Sequence, residues 1–202
     1  SMNLPEGAMS TRKGNAIALD AVLDEARRRA HAVIREKNPD LENPERVAEM
    51  VGIGALKYFD LSHHRKSDIT FRWDDALAFE GNTGPYLQYT HARLKSILRK
   101  LGNSGITDVP TVALDSLERR LLVSTLRLPE AVEDALADYA PNALANYLFG
   151  LARIANEFYH SHPVTQEPDV QKRAFRSALV TLAALTLKNG LYLLGIEAPE
   201  EM

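Results

Sequence analysis

From Leu19 to about Lys37 the apolar residues Leu19, Val22, Leu23, Ala26, Ala30, Val33 and Ile34 recur three and four apart. That is the spacing of one helix face, with Arg27, Arg28 and Arg29 left on the wet side. Asn38-Pro39-Asp40 ends this helix, and Asn43 with Pro44 begins a second one through Val47, Met50, Val51, Ile53, Leu56 and Phe59. Gly52 and Gly54 inside it each cost about 1 kcal/mol against Ala, so a closely packed neighbour is expected there. Alternation over Asp68–Trp73 predicts a short strand, and a brief helical turn follows from Asp74 to Phe79. Next comes the turn Gly81-Asn82-Thr83-Gly84, with Thr83 as N-cap and Pro85 near the first helical position of a helix reaching about Leu101. Gly102 to Pro110 is a connector. Beyond it the pattern is helical at roughly 114–127, 129–139, 142–161 and 168–194. Asn189-Gly190 is expected to kink or fray the last of these. The fold class is mainly α: a helical bundle preceded by a loop-rich, mixed N-terminal piece.

Composition narrows the class without naming it. The 202 residues are 45% hydrophobic and 25% charged, an ordinary globular balance. The net charge of −3 means that any nucleic-acid contact is a local patch on a slightly acidic body. No run approaches the roughly 18–20 apolar residues of a membrane helix, and no secretory leader pattern begins the chain. Cysteine is absent, which excludes disulfides and thiolate metal sites and fits a cytoplasmic home. Ser1-Met2 reads as an expression scar, and Asn3-Leu4-Pro5-Glu6-Gly7 opens as though in mid-domain, so a fragment of a longer protein is expected.

Five segments could carry chemistry. Tyr86, Tyr89 and Arg93 share one face of the helix that starts near Pro85. Rings paired with a guanidinium suit stacking on unpaired bases, and they equally suit a buried amphipathic face. Ser10, Thr11, Arg12 and Lys13 form a run that could wrap polyphosphate or stay a solvated basic loop. His63-His64-Arg65-Lys66 lacks matching metal ligands, which leaves a phosphate contact or a structural turn; no metal site is expected. Asp74-Asp75 reads as a helix cap. Tyr159 ends the long stripe Leu144, Tyr147, Leu148, Leu151, Ile154, Ala155, Phe158 and could face either core or ligand. No Walker loop, dinucleotide turn or Ser-His-Asp order is present.

Taken in order, GAMSTRKGN (7–15), ALKYFDLSHHRKSDITFRWDDALAFEGNTGPYLQYTHARLKSIL (55–98), NYLFGLARIANEFY (146–159) and LKNGLYLLGIEAPEEM (187–202) strongly resemble the C-terminal half of arginyl-tRNA synthetases. The resemblance implies a class I ligase that charges tRNA(Arg) with arginine through arginyl-adenylate, using ATP with Mg2+. It implies that residues 1–75 close the catalytic domain and that residues 76–202 form a helical, DALR-type anticodon-binding domain. Residues 9–15 would be its KMSKS loop, with Ser10, Arg12 and Lys13 on the phosphates and Arg12 and Lys13 as the catalytic cations. Ala8 and Thr11 depart from that pattern where the family has lysines. Tyr89, Arg93, Tyr159 and Met202 would surround the unstacked anticodon bases, and Tyr86 would remain in the core. The HIGH motif and the arginine pocket have no counterpart here, so these residues alone are expected to form no adenylate. A cytoplasmic monomer is expected. The rival expectation is a free-standing, synthetase-derived module that binds RNA or protein without catalysis.

Overall fold

The computed structural model describes residues 2–4, 7–8, 18–102 and 109–202. A small sheet places β1 (Met2–Leu4) between β2 (Gly7–Ala8), which pairs antiparallel, and β3 (Ile69–Thr70), which pairs parallel through Met2↔Ile69 and Asn3↔Thr70. The remaining elements are helices: α1 (Leu19–Lys37), α2 (Pro44–Leu61), α3 (Trp73–Ala76), α4 (Gly84–Lys100), α5 (Ser116–Leu126), α6 (Leu128–Ala137), α7 (Pro141–Ser161) and α8 (Val170–Leu193). The strand foreseen over Asp68–Trp73 is shortened to two residues. Phe71 and Trp73 leave the ladder to stack edge-on, Phe71 against Phe59 at 5.2 Å and Trp73 against Phe71 at 4.9 Å. Ring packing outweighs further pairing in so short an edge.

Two apolar cores result. One lies under α1 and α2 and gathers Ala30, Ile34, Leu41, Val47, Ala48 and Val51, with Leu77, Phe79 and Met202 packed on it. The larger joins α4, α5, α7 and α8 around Leu87, Leu94, Leu121, Leu148, Leu151, Phe158, Val180 and Leu187. The two glycines of α2 serve close approach, as their helix cost implied. A Cβ on Gly52 would stand 2.6 Å from the Ala26 carbonyl oxygen, and one on Gly54 would stand 2.7 Å from Gln88 Nε2. Gly190 overturns the expected kink. Helix α8 runs on through it to Leu193, because its missing side chain leaves room for Leu148 of α7.

The helix starts follow local chemistry, with two corrections. Thr83 caps α4 by accepting from the Tyr86 amide at 3.2 Å. Asp115 and Glu118 form a reciprocal capping box on α5. Asn43 holds the N-cap place of α2 but adopts a left-handed backbone (φ 55°, ψ 52°), and its side chain makes no capping bond. Asp74 and Asp75 are not caps; they lie in the first turn of α3, where carboxylates complement the helix dipole, and Arg72 stands at the cap.

After α8 the chain turns at Gly195 (φ 70°) and crosses the bundle as an extended strap from Ile196 to Met202. Side chains of other elements hold its main-chain carbonyls. Gln88 donates to Glu197 O at 2.7 Å, His91 lies 2.9 Å from Pro199 O, and Arg99 donates to Glu200 O at 3.0 Å. Asn38 donates to Met202 O at 3.2 Å. Burial holds the His91 ring below the usual histidine range, against the pull of the Pro199 carbonyl, so it stays neutral and donates from Nδ1.

Candidate nucleic-acid interface

Helices α4 and α7 pack side by side, and their facing residues meet the end of the strap and the end of α1 around one cleft of about 660 Å³. Its lining includes Tyr86, Tyr89 and Arg93 from α4, Asn156 and His160 from α7, and Met202. Arg93 sits between two rings, its guanidinium carbon 4.6 Å from the Tyr89 centroid and 5.0 Å from that of Tyr159. Both rings stay partly open to solvent: Tyr89 is 36% and Tyr159 40% exposed, among the few large aromatics so open. Arg93 Nη1 donates to Asn156 Oδ1 at 2.8 Å, and among the described residues no carboxylate ion-pairs with it. The cleft thus offers flat π-faces, an uncompensated positive charge and amide polarity, the combination that holds an unstacked base and a nearby phosphate.

The strap and the α1 end build the opposite wall. Phe79 stands edge-on to Tyr89 at 6.2 Å, and Lys37 Nζ lies 5.6 Å from the Phe79 centroid. Met202 is half-buried on the smaller core and anchored through its carbonyl by Asn38, which leaves its side chain against the cleft. So Tyr89, Arg93, Tyr159 and Met202, separated by up to 113 positions in the chain, are brought to one place. Tyr86 packs on the larger core, with Phe149 at 5.6 Å, yet also lines the cleft. Sequence reasoning placed Asn156 in the segment with Tyr159 without giving it a role, and assigned no part in the site to Phe79, Lys37 or Asn38. Asn156 carried a signal: it is a polar residue inside an otherwise apolar helical stripe, three positions before Tyr159.

The remaining candidates lie elsewhere. Ser10, Arg12 and Lys13 fall outside the described residues. The His63–Lys66 run closes a turn: His63 Nδ1 is 2.6 Å from Phe59 O, and Arg65 donates to the carbonyls of Asp138 and Tyr139 at the end of α6. Asp115, Glu118 and His162 come close enough to share an ion, but each already has a partner. Asp115 caps α5 and bonds His162 Nε2 at 2.7 Å, while Glu118 accepts from Arg176 at 2.8 Å.

The chain is similar to known proteins along its whole length. Residues 87–202 match the DALR anticodon binding domain, and residues 4–73 match the class I (R) tRNA synthetase catalytic domain. An arginine–tRNA ligase of Fusobacterium nucleatum is 42% identical over 98% of this chain and 35% of its own length. That of Thermus thermophilus is 44% identical over 96% of this chain and 33% of its own. The solved arginyl-tRNA synthetase of Thermus thermophilus superposes with a TM-score of 0.89 at 40% identity, covering 100% of this chain and 34% of that one. The Plasmodium falciparum arginyl-tRNA synthetase gives 0.78 at 25% identity, covering 92% and 34%. The chain therefore spans about a third of the length of the relatives it matches. With more than half of its residues in the matched anticodon-binding region, the chain belongs to the DALR anticodon-binding family of arginyl-tRNA synthetases.

Proposed function

We propose that the chain binds the anticodon arm of tRNA(Arg) as part of an arginine–tRNA ligase. The observation that carries this reading is the Tyr89–Arg93–Tyr159 stack, a guanidinium without an acidic partner between two half-open rings. An unstacked base lies against a ring, Arg93 faces its edge or the adjoining phosphate, and Met202 covers the far side. The division near residue 75 separates the end of the catalytic domain from the anticodon-binding helices. In the whole ligase, Ser10, Arg12 and Lys13 close on the phosphates of ATP, and Mg2+ with these cations stabilises the charge that develops on leaving pyrophosphate. The ligase works in the cytoplasm as a monomer.

Filter binding of tRNA(Arg) tests the reading. Tyr89→Ala and Arg93→Ala are each expected to weaken binding about tenfold or more, since base–aromatic stacking is worth about 1–3 kcal/mol. Affinity is expected to fall steadily with added salt as phosphate contacts are screened. Unchanged affinity in both variants overturns the assignment. Tight binding to an unrelated protein partner with none to tRNA would favour the free-standing module instead.

A further inference from the structure

Tyr86 lies one turn before Tyr89 on α4, half-buried, with its ring against Phe149 and its hydroxyl on the cleft wall. Its polarity is fixed by Asn156. The Asn156 side chain makes three bonds: Oδ1 accepts from Arg93 Nη1 at 2.8 Å, and Nδ2 donates to Thr90 Oγ1 at 2.8 Å and to Tyr86 Oη at 3.1 Å. A guanidinium has no lone pair to offer, so only the amide oxygen can face Arg93. The amide nitrogen must then face Thr90 and Tyr86. Thr90 gives its own proton to the Tyr86 main-chain carbonyl at 2.8 Å, which leaves a lone pair for Asn156 and closes the chain of donors. At Tyr86 the oxygen receives an N–H from Asn156 and cannot return its proton, because an amide NH2 accepts nothing. Among the described residues that hydroxyl makes no other hydrogen bond.

We infer that Tyr86 is a further recognition residue, whose hydroxyl proton is directed into the cleft by Asn156 to meet an acceptor on the edge of an RNA base. The inference rests on the RNA-binding reading above. The acceptor is a carbonyl oxygen or a ring nitrogen of the base held at Tyr89, Arg93 and Tyr159. Asn156 is a positioning residue with two effects. It holds the guanidinium between the rings, and it sets the hydroxyl as donor rather than acceptor. The polarity discriminates: an amino group presented at that point of the cleft would meet a proton instead of a lone pair.

The test is a four-member cycle of the unsubstituted chain, Tyr86→Phe, Asn156→Asp and the double variant. Each is titrated against a fluorescently labelled anticodon stem–loop of tRNA(Arg), with thermal melts to verify folding. Tyr86→Phe keeps the ring and is expected to lose about tenfold in affinity, the effect of one deleted hydrogen bond to a partner left unsatisfied. Asn156→Asp keeps an acceptor for Arg93 but also accepts from Tyr86, which turns the hydroxyl lone pairs toward the cleft. It is expected to bind more weakly than Tyr86→Phe. Its added negative charge acts in both backgrounds, so the charge contribution is read from the pair that lacks the hydroxyl. Asn156→Asp is therefore expected to lose several-fold less in the Tyr86→Phe background than with the tyrosine present. Equal losses in the two backgrounds, or full affinity in Tyr86→Phe, overturn the inference while leaving the RNA reading intact. Failure of the unsubstituted chain to bind the stem–loop overturns the RNA reading and this inference with it.

Discussion

Arg93 and Arg176 are one residue type in two opposite settings. Arg176 in α8 is 5% exposed and meets two carboxylates: Nε donates to Glu118 at 2.8 Å and Nη1 to Glu167 at 2.6 Å, with the Pro163 carbonyl at 3.1 Å. Every bond ties one element to another, namely the α5 start and the loop before α8. Arg93 is held by a neutral amide and two rings, and its charge is left for something outside the protein. A neutralised guanidinium fixes architecture, because removing either partner strands a charge away from water. One balanced only by π-faces and an amide is oriented without being quenched, which is what a binding surface needs.

The contrast breaks most visibly at its buried end. Arg176→Met is expected to destabilise the fold by about 3–5 kcal/mol, since Glu118 at 0% exposure is left without its cation, and urea denaturation measures it. If Arg93→Met were equally destabilising, the two sites would not differ in kind. Restoring neutrality with Arg176→Met, Glu118→Leu and Glu167→Leu together is expected to recover most of the loss.

Next in size, Arg93→Lys keeps the charge but gives up the planar stack between Tyr89 and Tyr159. It is expected to lose about tenfold in tRNA affinity with an unchanged melting temperature. Full retention of affinity would show that charge alone acts there.

A smaller effect separates the two ends by pH. Burial alone would raise the Asp115 carboxyl, but the Glu118 amide, the His162 ring and the Leu117 amide together hold it at about 2, against an ordinary 3.8. Its contribution is therefore complete above pH 3.8 and is lost as the pH falls through about 2. Asp115→Ala is expected to cost about 1 kcal/mol at neutral pH through loss of the cap, and to flatten the acid limb of the urea-midpoint profile.

Smallest is the strap. The buried His91 ring has its protonation pushed below the ordinary 6.5, so its contribution is full above pH 6.5 and fades as the pH drops toward the lowered value. His91→Gln, which retains a donor for the Pro199 carbonyl, is expected to lose less stability between pH 7.5 and 5.5 than the unsubstituted chain. Parallel losses would assign the slope to other groups.

Much of the fold was legible in the residues. The three-and-four spacing from Leu19 and the Asn38-Pro39 stop reproduce α1, and Thr83 with Pro85 marks the start of α4, because caps and periodicity are local. Tyr89 and Arg93 could be paired from their own helix. Tyr159 and Met202 joined them only through resemblance, since no local rule brings residues of α7 and the strap to α4. Arg176 meeting Glu118 at 58 positions' distance lay beyond any pattern, because a buried ion network is set by how helices cross. Gly190 misled for the opposite reason. Its local weakness as a helix residue was real, but the space it leaves for Leu148 outweighs it.

The strap is gripped by its carbonyls, at Glu197, Pro199, Glu200 and Met202, which every residue possesses. Through these contacts it behaves as a tape measure with graduations set along the backbone. An exchange of side chain leaves these carbonyl grips in place, although Ile196, 2% exposed in the larger core, and Glu197, paired with Arg46 at 2.5 Å, also hold the strap by their side chains. A residue inserted or removed shifts Met202 by about 3.3 Å, the rise of extended chain, and takes the far wall of the cleft with it. In this part of the molecule chain length is itself a specified quantity, set by the carbonyl grips alongside the side chains of Ile196, Glu197 and Glu200.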